Sequence, residues 1–539
     1  MRALIKKITP VSVEKTIWDV IIVGTGMGGA TVGHELAKMG RKVLFLEKGL
    51  FLSHDSPVQT LNDLDEKQER SILGRWPLKL EGSTSFGDMN FFAPLGFGTG
   101  GSANLYAAQL ERMLPIDFSP KKNYPSVKNS TLPDNWPIDY DGFKSYYRKA
   151  EKMYGVRGEQ DFFNPDLKAS LITAPLMDKE TKKNFKIFED LKLHPYRAHV
   201  ASEFIKNCDG CGGKICFSQC KNDAFKIALL PALKNYGAKI ITEADVKYLK
   251  ADNKKVKYVI CNHKNKELEL KGKIVILAAG SLFTPVILLA SKSKYWPNGL
   301  ANSSDYVGRN LMWHASDFFG VFPLKSSSKT SHAKELSLND FYFSNGIKLG
   351  NIQSVGVPIN SIYVSSYLHN LTQKKSKLFK LILQPFVIAA IAYTASLLAR
   401  YFKLYTTIIE DLPYWENRVF YDPKAKNNMR FNYNYPDELS IRTHFFRKKI
   451  KSTFGKKFFT FFITGKNNIN FGHPSGTCRF GNNPKTSVLN KYNRCHDIEN
   501  LYVVDASFFP SSSGANPSLT IAANALRVAP FIHNHLKQF

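Results

Sequence analysis

Between Trp18 and Gly49 the chain reads WDVIIVGTGMGGATVGHELAKMGRKVLFLEKG, and this stretch restricts the fold more than any other. Val20 to Val23 is an apolar, β-branched run of the kind buried in parallel sheets. Glycines follow at Gly24, Gly26, Gly28 and Gly29. A helix is predicted to about Met39, stopped by Gly40, with a second strand from Lys42 to Leu46 that ends at Glu47. The pattern has a mechanism. Gly24 permits the tight turn, Gly26 lets backbone approach a pyrophosphate, and Gly29 and Gly33 let the helix pack closely on the sheet. Phosphates then sit at a helix N-terminus, where free N–H groups and the helix dipole favour negative charge. Glu47 lies where an acid accepts a bond from a ribose hydroxyl. Strand, turn, helix, strand and acid together imply dinucleotide binding.

The chain has 539 residues, 43% hydrophobic and 13% aromatic, enough for a large folded core. Its net charge of +29 draws it to anionic surfaces, or reflects a generally basic proteome. Neither a G-K-[ST] phosphate loop, a recognition-helix signature nor zinc-finger spacing is present, so no nucleic-acid partner is expected. The N-terminal stretch lacks the apolar run and cleavage site of a secretory signal. A cytoplasmic location is expected, with the cytoplasmic face of a membrane as the place where peripheral contact would occur.

Further motifs follow in order. Gly96 to Met113 reads GFGTGGSANLYAAQLERM, a glycine loop with Gly98, Gly100 and Gly101 leading into Ser102 and a predicted helix. Leu132 to Gly158 carries WPIDY, YY and AE, with Asp139 as the predicted N-cap of a helix. KIVILAAGSLFTPVILLASK (273–292) predicts strand, glycine turn and helix. VGRNLMWH (307–314), ENRVFYDP (416–423), HPSGTCRFG (473–481) and NLYVVDASFFPSSSGANPSLTIAANALRVA (500–529) complete the series. Together, over nearly the whole length, these segments resemble the glucose–methanol–choline family of flavin oxidoreductases, nearest its cholesterol-oxidase-like and cysteine-bearing alcohol and sugar dehydrogenase branches.

The resemblance implies an α/β fold: a discontinuous Rossmann-type FAD-binding domain (15–110, 205–325 and 468–539) and an α+β substrate domain on an antiparallel sheet (111–204 and 326–467). It implies FAD-dependent oxidation of an alcohol to a carbonyl by hydride transfer to flavin N5, on an apolar or membrane-delivered, sterol-like alcohol. The alternatives are a sugar or polyol dehydrogenase using a quinone or cytochrome, and a lyase or isomerase with structural FAD. His473 and Asn516 are implied to face the reactive edge of the flavin. An imidazole can accept the hydroxyl proton as hydride leaves, and an amide can orient the same oxygen. Gly98, Gly100, Gly101 and Ser102 are implied in a second flavin-contacting loop, and Asp505, Ala506 and Pro517 in the closing one. The helix after Pro517 would aim its dipole at the anion formed on reduction. Some relatives attach flavin through a His in the Gly101–Ala107 loop. This chain has Asn104, Leu105 and Tyr106 there, so non-covalent FAD is expected.

Two features stand outside that scheme. Cys208, Cys211, Cys216 and Cys220 are spaced C-x2-C-x4-C-x3-C, unlike the ferredoxin C-x2-C-x2-C-x3-C-P run, with Lys221 in place of the proline. An iron–sulfur cluster, a disulfide or reduced loop, and zinc are the readings. Leu381 to Ala399 (LILQPFVIAAIAYTASLLA) is nearly long enough to span a bilayer. A single span would separate His473 from the glycine loop across the membrane. The remaining readings are an interfacial helix or one buried in the substrate domain. Aromatics interleaved with lysine at 445–466 also suit an anionic surface.

Overall fold

The computed structural model describes residues 10–52, 54, 64–164, 170–205, 212–322, 334–355, 365, 384–398, 403–464 and 468–539. At its centre is a parallel sheet, in the order Lys239–Ile241, Val43–Leu46, Ile17–Val23, the second half of Lys266–Leu277, and Leu501–Val503. Val20 stands opposite Ile274 on one side and Val43 on the other. The central runs 20–23, Val43–Leu46, 274–277 and Leu501–Val503 are apolar and buried because both faces of the sheet are covered there. The first half of Lys266–Leu277 belongs to an antiparallel meander with Ala244–Ala251 and Val256–His263.

The first strand leads through the helix Met27–Lys38 to Val43–Leu46 on one flank. Its other neighbour, Lys266–Leu277, arrives much later in the chain. The winding therefore reverses beside Ile17–Val23, and a crevice opens outside the carboxyl ends of the strands, where such sheets bind ligands. The closing helix Ser518–His535 packs on Met27–Lys38 and on Tyr140–Tyr154. Asp139 caps the latter as expected, its Oδ1 accepting from Gly142 N at 2.8 Å.

A second, eight-stranded sheet is antiparallel and has its own apolar core. Its middle strands are Phe318–Phe322, Lys403–Glu410 and Gly350–Ser354. Met312–Ala315 and Ile469–Ser475 pair at the end nearest the crevice. Arg418–Tyr421, within the ENRVFYDP motif, is a strand of a separate four-stranded sheet with Met429–Tyr433, Leu80–Thr84 and Gly87–Phe91.

The helix expected after Ser102 does not form. Gly101–Asn104 makes a single 3-10 turn. Beyond it the backbone is claimed from elsewhere: Leu110 N bonds His199 O at 2.9 Å, and Ala201 N bonds Ala108 O at 2.8 Å. Pairing with 199–201 overrides a stretch of good helix formers. The apolar segment at 381–399 is described from Gln384 as the helix Pro385–Leu398. Among the described residues, no helix is long and apolar enough to cross a membrane.

Candidate active site

The crevice is a cavity of about 630 Å³, within the ~300–1,000 Å³ usual for small-molecule sites. Val23, Leu46 and Ala278, at the ends of three parallel strands, line it. Its two ends are made differently.

One end is backbone. Gly24 turns with φ +98°, and an added Cβ there would lie 2.4 Å from Ala278 O. Gly28 runs against Val504 O, which a Cβ would meet at 2.2 Å. These contacts bring the start of the Met27–Lys38 helix down onto the strand ends. Its first helical bond runs from Ala30 N to Gly26 O at 2.9 Å, so the N–H groups before Ala30 are the orphan donors of a helix start. Gly26 lines the cavity, and a Cβ there would meet no heavy atom within 4 Å. Space at the donor end is thus kept clear of protein. Arg75 and Lys247 add positive charge to the wall. This donor set fits the pyrophosphate of a dinucleotide.

Thr25 ties the turns together. Its Oγ1 donates to Glu47 Oε2 at 2.5 Å and accepts from Gly100 N at 3.2 Å. Glu47 Oε1 accepts from Gly49 N at 2.9 Å, and the carboxylate lines the cavity with lone pairs to spare. Of the residues singled out from sequence, Gly24, Gly26, Gly28, Glu47, Gly101, Ser102, Asp505, Ala506 and Pro517 line the cavity. Gly29, Gly98 and Gly100 stand behind its wall, against Gly24 O, Leu50 O and the Asn104 side chain respectively. Asp505 binds backbone: Oδ2 accepts from Gly280 N at 2.9 Å, and Oδ1 accepts from Ser507 N at 2.8 Å. It fixes two loops of the wall on each other.

The other end is built from side chains. Met312 pairs with Ser475 and His314 with Asn470. Trp313 therefore faces four residues, Phe471 to Pro474, and the longer strand bulges. Pro474 has no N–H to lose from the ladder. The bulge carries His473 to the cavity. Burial, then the proximity of His314 and Lys334, hold its imidazole well below the usual 6.5. His473 Nδ1 lies 3.0 Å from His314 Nδ1, with the rings edge to face. Pro517 and Ser518 begin the closing helix at the cavity wall, and beside them Asn516 Oδ1 is buried without a hydrogen-bond partner among the described residues. A buried orphan acceptor next to a cavity is a polar group that a ligand can satisfy.

The sequence does not single out His314, although VGRNLMWH contains it. Its importance lies in a contact with a residue 159 positions away. A buried ionic cluster behind it is equally invisible in the sequence. Lys348 pairs with both Asp117 and Glu410, and all three side chains are fully buried.

Cys208 and Cys211 lie outside the described residues. Cys216 and Cys220 are buried with their Sγ atoms 3.4 Å apart, well beyond a disulfide bond of about 2.05 Å. Among the described residues, no group of three or more His, Cys, Asp or Glu side chains is placed to hold a metal ion. Lys221 acts as a clamp. Its Nζ donates to Asn104 O at 2.6 Å, Tyr106 O at 3.1 Å and Lys214 O at 2.9 Å. These bonds hold the cysteine segment to the second glycine loop.

Known proteins agree with this architecture. The chain is 26% identical to the 2-methyl-1,2-propanediol dehydrogenase of Mycolicibacterium austroafricanum, covering 95% of each. It is 24% identical to the fructose dehydrogenase large subunit of Gluconobacter japonicus (96% of this chain, 98% of the other). It is 25% identical to the cholesterol oxidase of Acinetobacter baumannii (96% and 94%). Pyridoxine 4-oxidase from "Mesorbium loti" shares the fold with TM-score 0.62 and 17% identity, over 96% of this chain and 99% of that one. Family models described as GMC oxidoreductase match residues 138–316 and 425–525. With the dinucleotide cradle at one end of the cavity and those matches over more than half its length, the chain belongs to the GMC oxidoreductases, and it is an FAD-dependent oxidoreductase of that family.

Proposed function

We propose that the protein oxidises an alcohol to a carbonyl compound, with His473 as the general base and Asn516 as the group that orients the substrate oxygen. FAD, when bound, supplies the acceptor for the hydride that leaves the carbinol carbon. The residues that would hold it are Gly24, Gly26, Gly28 and Glu47 from the first turn and strand, Gly101 and Ser102 from the second loop, and Asp505, Ala506 and Pro517 from the closing segment. Gly29, Gly98 and Gly100 give these loops their shape.

The observation that carries this reading is His473 on its bulge in the cavity wall, held neutral by burial. A neutral imidazole accepts the hydroxyl proton, so hydride does not have to leave a neutral alcohol. The Asn516 amide holds the same oxygen and fixes the C–H bond in a reactive pose. Apolar walls that include Trp76, Leu282 and Phe283 keep water away. FAD is held without a covalent bond: Leu105 and Tyr106 are the residues at the wall where a linking histidine would be needed.

An apolar alcohol delivered from a membrane surface suits the outer face. The helix Pro385–Leu398 exposes Phe386 (73%) and Tyr393 (63%), and Phe459 is 69% exposed on the basic segment 445–466. Peripheral attachment predicts flotation with anionic liposomes and not with neutral ones. A polyol is the alternative substrate, supported by relatives named for sugars and diols. Reoxidation by a quinone or cytochrome belongs to the same proposal, as does the division into an FAD domain (15–110, 205–325, 468–539) and a substrate domain.

Anaerobic mixing with a panel of apolar alcohols and polyols is the test. The expected result is bleaching of the flavin band by a substrate, with a free yellow flavin released on acid precipitation. Flavin that no alcohol bleaches would overturn the proposal, and flavin retained in the pellet would overturn non-covalent binding. Iron absorbance in the same spectrum would give the four cysteines a cluster; its absence would leave them structural.

A further inference from the structure

We infer that His314 is a positioning residue that fixes the tautomer of His473, so that Nε2 faces the substrate as a bare acceptor. The inference rests on His473 being the base and explains how it stays ready to act.

Donors and acceptors alternate along one line through the two rings. His314 is fully buried, and its Nε2 lies 3.0 Å from Ser513 O and 3.3 Å from Ser512 O. Carbonyl oxygens only accept, so Nε2 must carry a hydrogen. Burial keeps the ring neutral, its pKa lowered to about 4, so Nδ1 has a lone pair and no hydrogen. That lone pair faces His473 Nδ1 at 3.0 Å. His473 therefore donates from Nδ1 to the nearer partner; Asn470 Nδ2, which also approaches that nitrogen, stands farther off at 3.4 Å. In a neutral ring the other nitrogen, Nε2, is then bare. No hydrogen bond to it is formed among the described residues, and the ring lines the cavity. The opposite tautomer would set two lone pairs against each other.

The acceptors that start this chain are themselves held. Ser513 N donates to Glu410 Oε1 at 2.9 Å, and Gly514 N donates to Tyr342 Oη at 2.9 Å. Tyr342 donates on to Asp117 Oδ2 at 2.7 Å, and Lys348 sits between Asp117 and Glu410. The Ser512–Gly514 turn, with Ser513 at φ +61°, is gripped from both sides just before Asn516. Glu410 also pairs with His314 across the strands. The charged groups around the two imidazoles are thus Glu410 and Lys348 behind His314, and Lys334 beside His473. None of them is hydrogen-bonded to an imidazole nitrogen among the described residues, and His314 Nε2 ends on backbone. His314 therefore orients and does not relay a proton onward.

The test reads the tautomer itself, apart from turnover. Histidine-selective 15N labelling of the holoenzyme, with His473 assigned through His473→Gln, should show Nδ1 in the protonated and Nε2 in the bare range. His314→Phe removes the acceptor, so the His473 pattern should shift toward mixed tautomers. Flavin reduction should slow by about 10–10²-fold, the size of effect seen when partners that orient metal-bound imidazoles are lost, with substrate affinity kept. His314→Asn restores an acceptor near the Nδ1 position and should recover part of both signals. A wild-type spectrum with Nε2 protonated, or a pattern unmoved by His314→Phe, would overturn the inference; if neither variant folds, the wild-type spectrum decides alone. A correct tautomer with full activity in His473→Ala would instead reject the base and leave the tautomer assignment standing.

Discussion

The two ends of the cavity solve one problem, placing polar groups beside a ligand, by opposite means. At the first, the donors are main-chain N–H groups of a glycine turn, and the turn, helix start and acid that define it lie between Gly24 and Glu47. At the second, His473, His314 and the turn before Asn516 come from three distant segments, held by strand pairing and a buried ion cluster. A backbone site depends on what is absent, a Cβ. A side-chain site depends on partners, each of which can be removed singly. Damage at the first end should therefore abolish cofactor binding. Damage at the second should spare binding and slow the chemistry.

The largest expected effect is at the backbone end. Gly28→Val places a branched side chain where even a Cβ would lie 2.2 Å from Val504 O. A loss of more than about 4 kcal/mol is expected, as for the severe class of core substitutions, together with loss of bound flavin. A thermal melt and the flavin-to-protein ratio would read both. A variant that keeps its yellow colour and its melting point would remove the contrast.

Next comes Lys348→Met, which leaves Asp117 and Glu410 buried without their cation. Breaking such a cluster costs about 3–5 kcal/mol. Denaturant unfolding should show it, and residual activity should fall because the Ser512–Gly514 turn loses its grip. Unchanged stability would mean that the cluster does not support the reactive end.

Asn516→Ala is expected to be milder. Flavin content should stay at the wild-type level while reduction slows by about 10–10²-fold, the cost of losing near-attack geometry. Loss of flavin from this variant would blur the division between the two ends.

The smallest effect is on pH dependence. The proposed base, His473, would act when neutral, and its pKa is held well below 6.5, by burial first and then by His314 and Lys334. A lowered pKa moves the acid limb of the rate profile downward. Flavin reduction should thus be flat from about pH 6.5 upward and fall only at lower pH. An acid limb centred at 6.5 or above would show that the imidazole is not shielded as described.

The same contrast explains what is legible in the sequence. The turn from Val23 to Glu47 is local, and its strand, helix and acid read as a unit. Asp139, one residue before its helix, is legible for the same reason. His473 and Asn516 become meaningful only through the family resemblance of their segments, because nothing near either residue reveals that the two segments meet at one cavity. His314 stays hidden because its partner is set by antiparallel pairing, with a bulge whose size is not written in either strand. The expected helix after Ser102 fails because 108–110 is paired with 199–201. In each case local chemistry is readable, and long-range pairing is not.

The central claim is that one imidazole carries the proton transfer at the side-chain end. Stopped-flow measurement of flavin reduction in His473→Ala, anaerobic and with the true substrate, tests it most directly. The account predicts a rate about 10²–10⁴-fold below wild type, the usual worth of general-base catalysis, with FAD content unchanged. A His473→Ala enzyme that reduces its flavin at the wild-type rate would contradict it.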